Sequence, residues 1–508
     1  MTTSTTPKAN DDDTPGTIAS GASIALIGRA LGRALSMASH VFIARFLRRP
    51  DLGRFGLAWA GVRLFTFIVT LGLDKGCVRF AAQTRLQDED ASSRVIRSTL
   101  RAIALSAIVA STLLILFAPP ISISISSDHQ MGHLLRVLAP AVGLAAMLRV
   151  LAATTTIRLK ITSAIFLEEL LQPGLFFLGI LLVRTLNSSG SSLIAYAWAY
   201  VVSLAIAVMA GLLIVSLQTP SLLLGPAMQE KRSLFRFSVT VQTAGLFAFG
   251  MTFIDRFWIA AYRTMAEIGS YQAVGQLGHA LGNVAVAIGM ILGPAIARYH
   301  TDDHSVPLAK AYQQARRIGL YISTPLILVV LFAGKALVAL TLGERFVDTT
   351  NVLRIIAGGH FLAIAAGGAG YLLVMIGRPH LLLLVSFASM TLQGGLMTFL
   401  APHFGSEGVA LATASSIAAL FWISLGLASH LTAIRVVQRN LLPWLFGASV
   451  GAAVTALSYP LVASSAALGR FVLTSLVSFA GFFLVLAFTA PQEDRRAMKH
   501  LFRRDDPS

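Results

Sequence analysis

The stretch IASGASIALIGRALGRALSMASHVFIARFLRRPDLGRFGLAWAGVRLFTFIVTLGL, residues 18–73, contains two long apolar segments joined by a short basic turn. Arg29 and Arg33 lie four residues apart in the first segment, so a helix would present both guanidinium groups on one face. His40 falls on that face too, and Arg63 lies near the middle of the second segment. Arg29 is about 16 Å along a helix from the start of the stretch, close to the centre of a hydrocarbon layer about 30 Å thick. Because charges at that depth usually face a bundle interior or a watery cavity, the stretch predicts a transporter with a cationic central cavity.

The composition of the whole chain agrees with a membrane protein. Of 508 residues, 55% are hydrophobic and 12% are charged, and the mean hydropathy is +0.74. Soluble proteins average about 25% charged residues, so a soluble globular fold is excluded. The net charge of +17 comes largely from short loops between apolar segments, which fits membrane topology and anionic lipid headgroups rather than nucleic acid. Cys77 is the only cysteine, which excludes an intrachain disulfide.

Apolar segments along the chain predict an all-α integral membrane protein with about 14 transmembrane helices. We expect two six-helix lobes in a pseudo-two-fold relation, followed by two C-terminal helices. The expected divisions are a disordered cytosolic tail (1–16), an N-lobe (17–218), a C-lobe (232–432), helices 13 and 14 (440–490) and a basic cytosolic tail (491–508).

An internal repeat supports the two lobes. A shift of 216 positions brings similar residues together without a gap, and six predicted spans separate the copies, so the halves share one orientation. The matched residues are Ile43 with Ile259, Ala44 with Ala260, Asp51 with Glu267, Gly53 with Gly269, Phe55 with Tyr271 and Arg63 with His279.

Lysine and arginine are concentrated in every second connection and in the C-terminal tail. The positive-inside rule therefore predicts that both termini are cytoplasmic. One loop disagrees, since the predicted outer side carries Arg45, Arg48, Arg49 and Arg54 between the first two spans. These four charges do not outweigh the others, and they could serve the outer mouth.

A polar stripe marks the eighth span. Gln272, Gln276, His279 and Asn283 recur at spacings of four, three and four residues, which is one face of a helix. We interpret the stripe, with His40 and Arg63 in the first half, as the lining of a cavity. The alternative is hydrogen bonding between packed helices, which is common for these residue types in membranes.

The candidate ligand-binding groups are Arg29 and Arg33, because a guanidinium fork suits phosphate oxygens. A structural ion pair is the alternative, but few acids are available. Those expected near span ends or in the outer half are Asp74, Asp255, Glu168 and Glu169. The adjacent pair Asp255 and Arg256 is either structural or a gate or coupling element.

Motifs for other chemistry are missing from the sequence. A phosphate-binding loop of the Walker type does not occur, which argues against ATP hydrolysis by this chain. Cysteine and histidine do not show metal-ligand spacing. We therefore expect no catalytic residue, metal or cofactor.

Several loose motifs, in order, resemble the polysaccharide transporter branch of the multidrug/oligosaccharidyl-lipid/polysaccharide exporter superfamily. Together they cover about residues 16–491. They are the turn Ile43-Ala-Arg-Phe-Leu47 with Pro50-Asp-Leu-Gly-Arg-Phe-Gly56, then Leu71-Gly72-Leu73 with Arg79-Phe80, Asp255 with Ile268-Gly-Ser-Tyr-Gln-Ala273, Pro294, and Phe404-Gly-Ser-Glu-Gly-Val-Ala410.

The resemblance implies two six-helix lobes, alternating access, and flipping of an undecaprenyl-pyrophosphate-linked oligosaccharide for O-antigen, capsule or exopolysaccharide. It assigns the lipid pyrophosphate to cavity arginines, here Arg29, Arg33 and Arg63. It places the chain in the bacterial cytoplasmic membrane, with the lipid-linked oligosaccharide, the bilayer and polysaccharide polymerase or export machinery as partners, and no nucleic acid.

Three alternatives remain open. A lipid II flippase also has arginines and fourteen helices. A cation-coupled multidrug exporter of the same superfamily would need acids within the membrane, whereas the embedded charge here is mainly positive. A membrane polymerase or glycosyltransferase would show a large outer loop or acidic catalytic residues beside one, and the sequence shows neither.

Overall fold

The computed structural model describes residues 15–85, 89–126, 129–157, 161–186, 193–218, 232–284, 305–376, 378–432, 441–463 and 465–491. All regular structure in these ranges is helical. Most of both expected tails, residues 1–14 and 492–508, lies outside them.

The first half of the chain supplies eight α-helices and one π-helical segment. They are α1 (Pro15–Phe46), α2 (Arg49–Thr70), α3 (Leu73–Arg85), α4 (Glu89–Ser126), α5 (His129–Thr156), α6 (Ile161–Ile165), the π-helix Phe166–Leu171, α7 (Gln172–Leu186) and α8 (Leu193–Gln218).

The described residues of the second half form nine α-helices and one 3₁₀ segment. They are α9 (Arg232–Met251), α10 (Ile254–Tyr262), α11 (Met265–Ala280), α12 (Ser305–Thr341), the 3₁₀ segment Glu344–Thr349, α13 (Thr350–Ala365), α14 (Ala369–Met375), α15 (Pro379–Leu431), α16 (Leu442–Ala463) and α17 (Ala467–Thr489).

The helices account for about fourteen spans, which confirms the predicted all-α membrane fold. Within the described ranges, nine helices are long and apolar enough to cross a bilayer, or ten with the bent pair in α9. Several predicted spans are built from pieces, since α6, the π-helix and α7 form one run, as do α13 and α14. Conversely, α15 contains two spans that meet at Gly405, where φ is +57° and the helix breaks.

The kink at Gly405 has a defined chemistry. Its backbone conformation is open to glycine and strained for other residues. The Glu267 carboxylate accepts a hydrogen bond from the Ser406 backbone N–H at 2.7 Å, which satisfies a donor that the break exposes. A Cβ on Gly405 would approach Glu267 Oε1 to 2.5 Å. Glycine is therefore required between the two spans of α15.

Contacts divide the chain into two compact units. The first contains residues 1–47 and 57–244, and the second contains residues 48–56 and 245–508. In the first unit, α4 and α5 pack closely through Gly143, where a Cβ would meet Ala107 at 2.9 Å. Small residues of this kind allow the backbones of membrane helices to approach each other.

In the second unit, the two C-terminal helices pack on α12. Tyr321 of α12 and Phe482 of α17 lie in one buried cluster. The Trp444 indole of α16 donates a hydrogen bond to Thr324 Oγ1 of α12 at 2.7 Å. The C-terminal helices α16 and α17 are therefore held on α12 through both apolar packing and a polar contact.

The first two turns of α2 also belong to the second unit. They pack against α11 through Gly53 and Gly269, which the 216-residue shift had matched. At the start of α2, Arg49 pairs with Asp348 through two hydrogen bonds of 2.8 and 3.0 Å. The start of α2 is thus held by Asp348 within the second unit.

Candidate functional site

The arginine face of α1 lies beside the π-helix in the first unit. Arg29 and Arg33 are both half-buried. Between them, Gly32 lets α1 touch the π-helix backbone, since a Cβ there would lie 2.0 Å from the Glu169 carbonyl oxygen. Gly28 sits one turn earlier against Ile165. The Gly-Arg repeat thus gives α1 a small-residue face for packing and holds two guanidinium groups beside it.

Trp59 contacts His40 and Arg63, two residues that the sequence predicts to line the cavity. The His40 ring meets it edge-on, with centroids 5.3 Å apart, and the Arg63 guanidinium stacks over it at 5.1 Å. Tyr200 of α8 is hydrogen-bonded to the same indole. Arg63 itself is exposed. An arginine stacked on an aromatic face keeps its N–H groups free to point toward a ligand.

The acids of the first unit lie on a segment that packs against the arginine face of α1. Glu168 and Glu169 belong to the π-helix, which contacts α1 beside Arg33. The charges of Arg149 and Arg63 both act on Glu168. Pairs of acids in an apolar span are unusual, and π-helical turns often mark functional sites. The two adjacent acids were visible in the sequence, whereas the π-helical turn that carries them was not.

Ion pairing in this part of the first unit is incomplete. Asp74 pairs with Arg149 at 3.8 Å. Among the described residues, Arg33 and Arg63 have no carboxylate oxygen within 4.0 Å. The arrangement can therefore receive an anion without first breaking a salt bridge of either arginine.

The predicted polar stripe runs from buried positions on α11 to Asn283, which lies beyond the end of α11 at Ala280. Gln272 is buried, Gln276 and His279 are half-buried, and Asn283 is exposed. Gln272 accepts a hydrogen bond from Arg256 Nε and packs on Gly56. The stripe therefore begins in a closed polar contact and opens toward its C-terminal end.

Asp255 and Arg256 form a buried network at the start of α10. The Arg256 guanidinium lies 3.1 Å from Asp255 Oδ1 and donates to the Thr252 carbonyl at 2.8 Å. The Tyr271 hydroxyl donates to Asp255 Oδ2 at 2.8 Å. Each charge therefore has its partners within the second unit, as a structural pair requires.

His360 is the polar residue whose role the sequence did not reveal. It lies on α13, where its Nε2 is 2.8 Å from His279 Nδ1. Eighty-one residues separate the two histidines, so helical spacing could not bring them together. Elsewhere in the described residues, groups of three or more His, Cys, Asp or Glu side chains suited to a metal ion do not occur.

Solved structures with the same fold are membrane transporters. The lipid II flippase MurJ in an inward closed conformation matches with a TM-score of 0.73 and 13% identity over 94% of this chain and 99% of that chain. An inward-facing multidrug resistance MATE family transporter of the MOP superfamily gives 0.69 and 14% over 80% and 97%. A MOP superfamily transporter from Pyrococcus furiosus gives 0.58 and 13% over 80% and 95%. At these identities the likeness establishes the fold.

The family is established by sequence. A family model described as polysaccharide biosynthesis protein matches residues 42–351, which is more than half of the chain. The chain belongs to this family of polysaccharide biosynthesis proteins, as the sequence motifs predicted, and it is a multi-pass membrane protein with the fold of the transporters above. A search of curated proteins finds no match.

Proposed function

We propose that the protein flips a polyprenyl-pyrophosphate-linked oligosaccharide, an O-antigen, capsule or exopolysaccharide repeat unit, across the bacterial cytoplasmic membrane. The observation that carries the proposal is the placement of Arg29, Arg33 and Arg63 on α1 and α2 of the first unit, with the latter two outside any salt bridge among the described residues. The family match supports the polysaccharide class.

The chemistry of the substrate accounts for these residue types. A pyrophosphate carries several anionic oxygens, which arginine forks bind through charge-assisted hydrogen bonds. The sugar would lie along polar groups such as Gln276 and Asn283, while the prenyl chain stays in lipid. Substrate binding can shift the conformational equilibrium only as far as the substrate prefers one state.

The organisation proposed for the chain follows the sequence. Residues 17–218 and 232–432 act as two lobes that rock in alternating access, residues 440–490 add two helices, and both termini are cytoplasmic. Polysaccharide polymerase or export machinery receives the product. The transport needs no catalytic residue of this chain.

Lipid II is the second candidate substrate, because the likeness to MurJ covers almost the whole of both chains. The lipid moiety would again be held by its pyrophosphate, so the arginines suit both substrates. A cation-coupled drug exporter is disfavoured, since the two buried acids among the described residues of the second unit are already paired, Asp255 with Arg256 and Asp51 with Arg48 and Arg54.

Deletion of the gene, with analysis of lipid-linked sugars and surface polymers, tests the proposal. Loss of one surface polysaccharide, with its polyprenyl-linked repeat unit trapped on the cytoplasmic leaflet, is the expected result and names the sugar. Lethality with accumulated lipid II would instead establish the second candidate. Intact polymers with new sensitivity to cationic drugs would overturn both.

A further inference from the structure

Two histidines of the second unit are in direct contact. His279 of α11 and His360 of α13 lie with Nδ1 and Nε2 2.8 Å apart, and their rings meet edge-on with centroids 5.1 Å apart at 76°. The contact is built by small residues, because a Cβ on Gly282 would come within 2.8 Å of His360 Nδ1. The helices approach closely enough for imidazole to bind imidazole without a bridging group.

Counting protons shows what this contact can hold. A neutral imidazole has one N–H donor and one acceptor nitrogen, so one ring donates to the other and a single proton lies between them. The remaining nitrogen of His279, Nε2, is buried and has no hydrogen-bond partner among the described residues. If the pair takes up one further proton, one ring becomes a cation that donates a hydrogen bond to the other, neutral ring. A second additional proton would leave two cationic rings in contact.

Among the described residues of the helices packed around the pair, the acids already have partners within the second unit. On α10, Asp255 is used by Arg256 and Tyr271, and Arg256 is the charged residue whose field reaches His279. On α15, the residue facing this part of α13 is Ala414, against Gly359. The other titratable or charged side chains of the packed helices are Tyr262 on α10, Glu267 and Tyr271 on α11, Lys310, Tyr312, Arg316, Arg317, Tyr321 and Lys335 on α12, Arg354 on α13, and His380, His403, Glu407 and His430 on α15.

The pair can hold one additional proton because each ring can donate to or accept from the other, and water that reaches the pair can supply or remove that proton. His279 is half-buried, on the stripe that opens toward Asn283. Histidine is the side chain whose charge changes most readily near neutral pH. A change in hydration during alternating access would therefore load and unload one proton.

We propose that His279 and His360 form a single proton-binding site through which the transport cycle is coupled to protons. The coupling rests on the function proposed above, whereas the proton site does not. The internal repeat gives the site a counterpart, since the 216-residue shift sets His279 on Arg63. At this repeat position the first half carries Arg63, which is always charged, and the second half carries His279, whose charge depends on whether it is protonated.

The proton site is tested by acid–base titration of the full chain in nanodiscs, without substrate. Between about pH 4 and 8, the range in which histidine titrates, wild type should take up one proton more than the His279→Gln/His360→Gln double variant. A difference of two would mean two independent histidines, and a difference of zero would mean a pair that stays neutral; either overturns the site. His380→Gln, at an exposed position on α15, is the matched control for the loss of a histidine outside the pair. If the glutamine pair does not fold, His279→Asn/His360→Asn gives the same count.

The coupling is tested in proteoliposomes with a fluorescently labelled polyprenyl pyrophosphate. Wild-type flipping should change with pH, and His360→Gln should flatten that profile, while His380→Gln should retain it. A retained profile in His360→Gln would overturn the coupling. If wild type moves no polyprenyl pyrophosphate at any pH, the proposed substrate is wrong, and the titration still decides the proton site.

Discussion

Gly53 of α2 and Gly269 of α11 pack against each other in a reciprocal way. A Cβ on Gly53 would lie 1.9 Å from the Met265 carbonyl oxygen and 3.0 Å from Gly269 N; a Cβ on Gly269 would lie 2.0 Å from the Arg49 carbonyl oxygen and 2.9 Å from Gly53 N. The partners obey the 216-residue shift, since Arg49 corresponds to Met265. The two contacts are therefore related by a local two-fold axis that passes between Gly53 and Gly269.

This contact predicts a specific sensitivity to one methyl group. Gly53→Ala should destabilise the purified protein by about 1–3 kcal/mol, the usual cost of overpacking. Gly61→Ala, on the same helix, should be neutral or stabilise by up to about 1 kcal/mol, because alanine favours helix and nothing lies within 4 Å of its Cβ. Thermal unfolding in detergent measures both. Equal effects of the two substitutions would contradict the close contact.

The reciprocity itself is tested with the double variant. Either alanine should push α2 away from α11, so Gly53→Ala with Gly269→Ala should cost less than the sum of the single changes. Residues in direct contact show such coupling, whereas distant sites are additive. Strict additivity would mean that the glycines respond independently.

Two aspartates that bind arginine should differ in their importance. Asp255→Asn leaves the buried Arg256 without its anion and should destabilise by about 3–5 kcal/mol. Asp348→Asn removes the partner of Arg49 at a position where the carboxylate is 60% exposed, and solvent-screened pairs contribute less than about 1 kcal/mol. Unfolding of the two variants measured side by side checks this; a larger effect at Asp348 would be incompatible with these environments.

The arginines of the first unit should govern transport rather than stability. Arg33→Ala and Arg63→Ala should each slow flipping about 10-fold or more, since hydrogen bonds to charged groups contribute about 1.5–3 kcal/mol. The lysine variants should recover part of the rate, because they keep the charge and lose the fork. Transport at matched protein level is the measurement, and Arg378→Ala, at an exposed site before α15, is the control.

A stricter form uses the two arginines of α1 together. Arg29→Ala with Arg33→Ala should abolish complementation of the deletion strain while the protein still accumulates. Normal expression with normal transport would show that the arginine face of α1 does not bind substrate.

Cysteine labelling should reveal how access to water increases along the polar stripe. In a Cys77→Ala background, which removes the one native thiol, single cysteines at Gln272, Gln276, His279 and Asn283 are treated with a water-soluble thiol reagent. Labelling should be slowest at Gln272, which is 4% exposed, and fastest at Asn283. Protection of both Gln276 and His279 would indicate packing between helices instead of a lining.

The helices themselves could be predicted because hydrophobic runs of membrane-spanning length are a local property. The same holds for the shared face of Arg29 and Arg33, which follows from four-residue spacing. The kink at Gly405 was harder, since a continuous apolar run does not show where a helix breaks. Its glycine and the capping Glu267 come from segments 138 residues apart in the chain.

The amino-acid sequence by itself determined that this chain enters a membrane, which helices carry its cations and that its two halves repeat. Only the tertiary structure decided what those groups meet: Trp59 under Arg63, the π-helix acids beside Arg33, and His360 against His279. The physical reason is range. Hydropathy and helical period are set within a few turns of one helix. Contacts between helices depend on how distant segments pack, which the spacing of residues within one helix does not predict.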